Sequence, residues 1–129
     1  MNNEITKLIL EGKKLCKDVW QDFSIMEQNY SRAIEKFRQA LALDPQNTAA
    51  LINLGVAFSD RGNSYQALTY YKEAERLGSV DRNLYFNIGV AMMNISELRN
   101  DAKQYFAKAN DFEADNLTFE AYFDSKFAW

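Results

Sequence analysis

The sequence contains no histidine, one cysteine, one proline and five glycines in 129 residues. Without histidine, serine–histidine–aspartate and cysteine–histidine nucleophile systems are excluded, and so are most catalytic zinc sites. The lone Cys16 excludes an intrachain disulfide and a cysteine-rich metal site; it fits a reducing compartment, and we expect it to be half-buried and structural. No glycine-rich phosphate loop is present, and the acidic residues are scattered without an outstanding pair. These absences predict a protein that is not an enzyme and needs no cofactor or metal.

Long apolar runs and a strong excess of one charge are also missing. No segment approaches the roughly 18 apolar residues of a membrane span, and no basic leader precedes an apolar run at the N-terminus. The net charge is −3, from 15 basic and 18 acidic residues, so nothing draws the chain to nucleic acid. We therefore expect a single cytoplasmic domain that binds neither membrane nor nucleic acid, with the core that a 47% hydrophobic composition provides.

What the sequence does contain is an internal repeat. A step of 34 residues relates the segment 51–58 to 85–92, and the same step relates residues of 33–43 to residues of 67–77. The matched pairs are Leu54 and Ile88, Gly55 and Gly89, Ala57 and Ala91, Ala33 and Ala67, Phe37 and Tyr71, and Ala40 and Ala74. The pattern of Ala67, Tyr71 and Ala74 recurs 35 residues further on as Ala102, Phe106 and Ala109. Small and large residues keep the same order, so the chain is predicted to repeat one structural unit.

Each unit contains two helical patterns separated by turn residues. Apolar residues recur at helical spacing in two sets, which are Leu51, Leu54, Gly55 and Phe58, then Ala67, Leu68, Tyr71, Ala74 and Leu77. Between the patterns, Gly62 suits a left-handed helix cap, while Pro45 ends a helix and Thr48 and Asp81 are candidate N-caps. The repeat therefore predicts pairs of helices joined by short turns.

Gly55 stands inside the first pattern of its unit, where glycine costs about 1 kcal/mol relative to alanine. A small residue on a crossing face lets two helix backbones approach closely. We expect Gly55 to face Ala67 and Ala74, with Phe58 and Tyr71 filling the space beside them.

Helix pairs with a period of 34 residues, carrying Leu–Gly, an aromatic residue, and then alanine, phenylalanine or tyrosine, and alanine, resemble the tetratricopeptide repeat family. The resemblance covers nearly the whole chain. It implies an all-α fold, a right-handed superhelical solenoid of about three antiparallel helix pairs with a C-terminal capping helix. The expected units are about 4–47, 48–81 and 82–116, followed by a helix over 117–129.

The two ends depart from the repeat. Gly12 matches the crossing glycine only if about nine residues, 18–26, are inserted before the second helix. These residues either extend the first helix from about 4 to 27, which we expect, or fold back as a short insertion. The tail is rich in aromatic residues up to Trp129, which either pack on the third unit or make a dimer contact or tether.

The face opposite the core in the first helix of units two and three is unexpectedly apolar. The resemblance implies that this face lines a concave groove, and the predicted groove residues are Ile52, Asn53, Val56, Asn83, Phe86, Asn87, Val90 and Asn94. Asparagine carries both a donor and an acceptor, which suits the backbone of an extended peptide. An alternative remains open, namely that the chain's own N-terminal or C-terminal segment covers these residues.

Some relatives bind acidic C-termini through a clamp of lysine, arginine and asparagine. At those positions this chain has Ile9, Lys13, Asn53, Asn83 and Asn87, so the resemblance favours an apolar or neutral partner segment, either extended or helical. We expect an adaptor or chaperone-like module that binds another protein. The alternatives are a self-associating scaffold, such as a homodimer formed through the tail or the groove, and a regulatory domain of an enzyme complex.

Overall fold

The computed structural model describes residues 3–123. Over this range the chain forms six α-helices and two short 3-10 helices, and no strand. The α-helices are α1 (Asn3–Val19), α2 (Met26–Leu43), α3 (Thr48–Asp60), α4 (Ser64–Arg76), α5 (Arg82–Met93) and α6 (Ala102–Ala109), and the 3-10 helices are Phe23–Ile25 and Ser96–Asp101. The predicted all-α fold is confirmed. No helix in this part of the chain is both long and apolar enough to cross a membrane.

The helices pack in chain order as three pairs, α1 with α2, α3 with α4 and α5 with α6. The pairs stack through contacts of α2 with α3 and of α4 with α5. The first helices of successive pairs also touch, α1 with α3 and α3 with α5, so they form a common inner face. This arrangement is the helical repeat solenoid that the repeat predicts.

Each helix pair is fitted together by a glycine that lies against an aromatic ring. A Cβ atom added at Gly12 would lie 2.7 Å from Cζ of Phe37, and one added at Gly55 would lie 2.7 Å from Cδ1 of Tyr71. Gly89 lies in the same way against Phe106, at 2.7 Å from its Cε1. The expectation that Gly55 faces alanines is therefore wrong, because the aromatic ring of the second helix occupies the space above the glycine.

Local signals end and begin the helices largely as predicted. Gly62 has φ +87°, and the following amide, of Asn63, donates to the carbonyl of Phe58 at 2.9 Å, which closes the end of α3. Asp81 caps α5 by accepting the amide of Asn83 at 3.0 Å. At α3 the N-cap is Asn47, one residue before the predicted Thr48.

The prediction of a continuous helix over residues 4–27 is wrong, because α1 ends at Val19. Asp22 accepts hydrogen bonds from the amide of Ser24 at 3.0 Å and from its hydroxyl at 2.6 Å, which stabilises a turn in place of a helix. Asn29 of α2 donates to the carbonyl of Leu15 at 2.9 Å and so satisfies one carbonyl near the end of α1. The inserted residues thus reverse the chain and bring α2 back against α1.

The C-terminal segment also differs from the prediction. The expected helix over 117–129 is not present in the described residues: a turn at 116–117 is followed by residues 118–123 outside any regular helix, and residues 124–129, including Trp129, lie outside the described part of the chain. The aromatic spacing in this segment suggested a helix. The physical reason for the extended form is that side chains of the inner face satisfy its backbone groups.

Candidate functional site: the inner groove

The inner face of the stack holds a peptide, and that peptide is the chain's own tail, defined here as residues 113–123. The amide of Arg82, at the start of α5, donates to the carbonyl of Glu113 at 3.0 Å. At the other end, the amide of Tyr122 donates to Asp60, the last residue of α3, at 2.9 Å. The tail therefore runs along the groove in the same direction as α3 and α5.

Two asparagines of the inner face bind the backbone of the tail. Asn87 donates from Nδ2 to the carbonyl of Phe119 at 3.0 Å and accepts the amide of Ala121 at Oδ1 at 2.8 Å. Asn53 donates to the carbonyl of Leu117 at 2.8 Å. Both asparagine side chains are fully buried, so these bonds are sheltered from competing water. One side chain thus completes the hydrogen bonding of two backbone groups, as a neighbouring strand would.

The side chains of the tail alternate as in a β-strand. Phe119 and Ala121 are buried and belong to the same hydrophobic cluster as the helices, and Leu117 packs at the edge of a second cluster. Glu120, between them, is exposed. This two-residue period places one face of the tail on the groove and the other in solvent.

Thr118 is buried despite lying between two inward-facing residues, because its side chain enters a polar site at the start of α5. Its hydroxyl donates to Oδ2 of Asp81 at 2.5 Å and accepts from Nδ2 of Asn83 at 3.0 Å. The other oxygen of Asp81 accepts the amides of Asn83 and Asp115, at 3.0 Å and 2.9 Å. One carboxylate therefore caps a helix and binds the tail at two points.

Basic residues flank the tail on the solvent side. Lys13 of α1 donates to the carbonyl of Asn116 at 2.9 Å, and Arg82 pairs with Glu120 at 2.9 Å. Burial lowers the pKa of Lys13, and the nearby Lys17 lowers it further. The ion pair of Arg82 is partly exposed, so we expect it to orient the tail more than to stabilise it.

The far end of the tail is bound by Asp60. Its second carboxylate oxygen accepts the hydroxyl of Tyr30 at 3.0 Å. Burial raises the pKa of Asp60 to about 6, while the bonds from the Tyr122 amide and from Tyr30 oppose this rise. The ring of Tyr122 packs edge-on against Trp20 at 5.9 Å and Phe23 at 6.4 Å, both of which lie just after α1. This turn, the alternative to the expected continuous helix, thus supplies an aromatic wall of the groove.

The predicted groove residues fall into three groups in the structure. Those lying under or beside the tail and buried are Ile52, Asn53, Val56, Asn83, Asn87 and Val90. Phe86 is partly buried and packs edge-on against Phe106 at 5.5 Å and Phe123 at 6.5 Å. Asn94 is exposed at the C-terminal end of α5. The tail covers most of these residues, so their binding of a partner stays a prediction.

Sequence reasoning missed Asp60, Asp81 and Thr118 as groove residues. The sequence assigns Asp81 only to a helix cap and gives no role to Asp60 or Thr118. Their roles depend on the path of the tail, which no helical period reveals. The sequence did contain one signal, the two-residue alternation of Leu117, Phe119 and Ala121, which is typical of a strand.

Groups able to support chemistry are few in residues 3–123. Cys16 is completely buried, not half-buried as expected, and burial together with the charge of Asp60 raises the pKa of its thiol, so it stays protonated. Within that range no cluster of three or more histidine, cysteine, aspartate or glutamate residues is arranged to hold a metal. The described groove offers recognition groups, namely amides, carboxylates and rings.

Comparisons with known proteins agree with this architecture. The family model of the tetratricopeptide repeat (TPR repeat) matches residues 27–62, which contain most of α2 and all of α3. The photosystem I assembly protein Ycf3 of Acaryochloris marina (strain MBIC 11017) is 29% identical over 126 residues, which cover 87% of this chain and 75% of that protein. These similarities confirm the resemblance to tetratricopeptide repeat proteins.

A second relative shares only a short region. The probable UDP-N-acetylglucosamine–peptide N-acetylglucosaminyltransferase SPINDLY of Petunia hybrida is 36% identical over 66 residues, which cover 50% of this chain. The chain spans only 6% of the length of that transferase. The match is therefore a partial one, and it supports no statement about the activity in the transferase's name.

Proposed function

We propose that this chain, a tetratricopeptide repeat protein, is a non-catalytic adaptor or chaperone-like module that binds an extended segment of another protein in its inner groove. Repeats of this kind generally mediate protein–protein interaction. The similarity to a protein whose name describes assembly of photosystem I supports an assembly or adaptor role. A cytoplasmic location remains a prediction from the sequence.

The observation that carries the proposal is the pair of hydrogen bonds between Asn87 and the tail, one donated and one accepted by the side-chain amide. They contact backbone groups, which every peptide offers, so a segment of different sequence can form the same bonds. Asn53 forms only half of this pattern, because its Oδ1 is buried without a hydrogen-bond partner among the described residues. A partner segment whose amide reaches that oxygen gains a bond that the tail does not make.

The tail then acts as an internal competitor. A segment tethered to its own binding site has a local concentration of the order of millimolar, so a partner must bind tightly enough to displace it. The apparent affinity of the groove for a partner falls in proportion to the fraction of molecules whose groove is free.

The test uses the full chain with its tail released. Ala121 is 2% exposed, so Ala121→Glu places a carboxylate where it cannot be solvated and should expel the tail. A fluorescein-labelled peptide of residues 113–123, EADNLTFEAYF, is then titrated in fluorescence anisotropy. We expect saturable binding to Ala121→Glu and binding about tenfold or more weaker to the native chain, whose tail competes.

The controls separate groove binding from nonspecific association. Asn116→Glu adds the same charge to the tail at an exposed position and should behave like the native chain. Adding Asn53→Ala and Asn87→Ala to the Ala121→Glu chain should weaken binding of the peptide. If a folded Ala121→Glu chain, verified by circular dichroism, does not bind the peptide, the proposal is wrong.

A second candidate function, self-association, is favoured by the same occupancy of the groove. A groove that accepts the chain's own tail offers identical bonds to the tail of another copy, which is the route to a domain-swapped dimer. Sedimentation velocity over a wide concentration range distinguishes the two, because a strict monomer excludes the scaffold and leaves the adaptor.

A further inference from the structure

We infer that the groove selects segments carrying an unmodified serine or threonine hydroxyl, followed directly by an aromatic residue and, two positions later, by a small one. This inference rests on the proposed function and names its ligand class. The hydroxyl is bound by Asp81 and Asn83. From the sequence, Asp81 was expected only to cap a helix, and Asn83 only to contact a peptide backbone.

The site is complementary to a hydroxyl in both hydrogen-bonding directions. The hydroxyl of Thr118 donates to Asp81 at 2.5 Å and accepts from the Asn83 amide at 3.0 Å. Thr118 is 3% exposed, so water does not replace these partners when they are lost. A valine of the same shape would leave a carboxylate oxygen and an amide group buried without partners.

Asp81 is held in place independently of the ligand hydroxyl. Its Oδ1 caps α5 through the amide of Asn83, so its Oδ2 already points into the groove when a segment arrives. A carboxylate so fixed also excludes negative groups. A phosphate on the hydroxyl would bring a second negative charge against Asp81 in a buried site, where repulsion is strong.

The proposed sequence preference also includes the two inward-facing positions that follow Thr118, occupied here by Phe119 and Ala121. Phe119 is 5% exposed and packs within the hydrophobic cluster of the helices. Ala121 is 2% exposed and its amide is bonded to Asn87, so a larger side chain there would have to displace the residues that bury it. Glu120 lies outside, so the position between them is free to vary.

The experiment compares four peptides on the full-length Ala121→Glu chain. They are EADNLTFEAYF and its variants Thr118→Ser, Thr118→Val and phosphothreonine at 118. We expect the serine peptide to bind within about threefold of the parent, and the valine and phosphothreonine peptides to bind about tenfold to a hundredfold more weakly. Equal binding of the valine and parent peptides would overturn the inference while leaving the groove function standing, whereas no binding by any peptide would overturn both.

A variant of the protein tests the role of Asp81 directly. Asp81→Asn keeps a good N-cap, so the helix is retained, but it removes the charge. The preference for the parent over the phosphothreonine peptide should then shrink by about tenfold. An unchanged ratio would show that Asp81 does not read the hydroxyl.

A further test measures the docked tail of the full-length protein and does not use the Ala121→Glu variant. In the full-length protein, the Ala121 amide is protected from hydrogen exchange by Asn87 only while the tail is docked. In the Thr118→Ser variant, the exchange rate of the Ala121 amide should stay within about threefold of the native value. In the Thr118→Val variant, that rate should rise about tenfold or more. Equal protection in the two variants contradicts the inference, whatever the behaviour of Ala121→Glu.

Discussion

At the scale of single residues, the helix-crossing glycines act by making room for rings. Gly55 lies under Tyr71, which is fully buried, so the space above the glycine cannot be enlarged by turning the ring out to solvent. The loss of helix propensity at glycine, about 1 kcal/mol, is offset by the packing of an aromatic side chain between two helices.

Gly55→Ala should therefore destabilise the protein even though alanine favours a helix. Overpacking typically costs about 1–3 kcal/mol, which exceeds the propensity gain of about 1 kcal/mol. Urea denaturation of Gly55→Ala, of Tyr71→Leu and of the double variant measures the coupling. We expect the added methyl group to be tolerated better in the Tyr71→Leu background, where the ring is absent. An alanine that stabilises the native background would contradict the contact.

Asp60 is the residue whose protonation should matter most near neutral pH. Its pKa is raised to about 6 in the folded state, mainly by burial, so between about pH 4 and 6 the folded chain binds more protons than the unfolded one. The free energy of unfolding therefore falls as the pH rises through this window. Above the folded pKa, this contribution no longer changes with pH.

The matched variant for this effect is Asp60→Asn, which keeps an acceptor for the Tyr122 amide and does not titrate. From pH 7 to pH 4, native protein should gain about 1–3 kcal/mol of stability relative to the variant, measured by urea denaturation at each pH. A difference that stays constant, or that grows as the pH rises, would refute the assignment.

At the scale of elements, the tail binds to the helices as an extended segment and belongs to no sheet. Its backbone partners are side chains of helices, Asn53 and Asn87, and this is why it is extended although its aromatic spacing also permits a helix. A helix over the same residues would satisfy its own backbone and leave the buried amides of the groove without partners.

Removing the asparagines should release the tail and spare the helices. In the Asn53→Ala, Asn87→Ala double variant, exchange of the Ala121 amide should accelerate about tenfold or more, because its bond to Asn87 and the bonds to two tail carbonyls are lost. Amides of α2, which these residues do not bond, serve as the internal control. Retained protection at Ala121 would mean that apolar packing alone holds the tail.

At the scale of the whole molecule, the tail closes a groove that the stacked helices leave apolar. Phe119 and Ala121 are part of the main hydrophobic cluster, so docking of the tail and folding of the repeats are coupled. Ile52, Val56 and Val90 are buried in the same cluster as Phe119 and Ala121, so we expect release of the tail to expose part of this apolar surface and to favour association.

Ala121→Glu should therefore melt at a lower temperature than the native chain and show association that grows with protein concentration. Differential scanning calorimetry and sedimentation at two concentrations measure the two effects, with Asn116→Glu as the charge-matched control. If the melting temperature and the sedimentation of Ala121→Glu equal those of the control, the tail does not contribute to the core.

Much of this protein was determined by local sequence. The 34-residue step, the glycines, and the caps at Gly62 and Asp81 specified the helix pairs because helix period and turn chemistry act over a few residues. The buried amides of Asn53 and Asn87 were also predictable as binders of an extended backbone, since they stand on an apolar inner face.

Only the tertiary structure decided what those amides bind. The end of α1 and the extended tail both depend on groups outside their own segments, such as Asn29 for the first and Asp81 for the second. A short segment with both helical and strand-like spacing takes the conformation that its surroundings satisfy, and those surroundings exist only once the repeats have stacked. The sequence therefore determined a groove suited to a peptide, and the packing of the whole chain determined that its first occupant is its own tail.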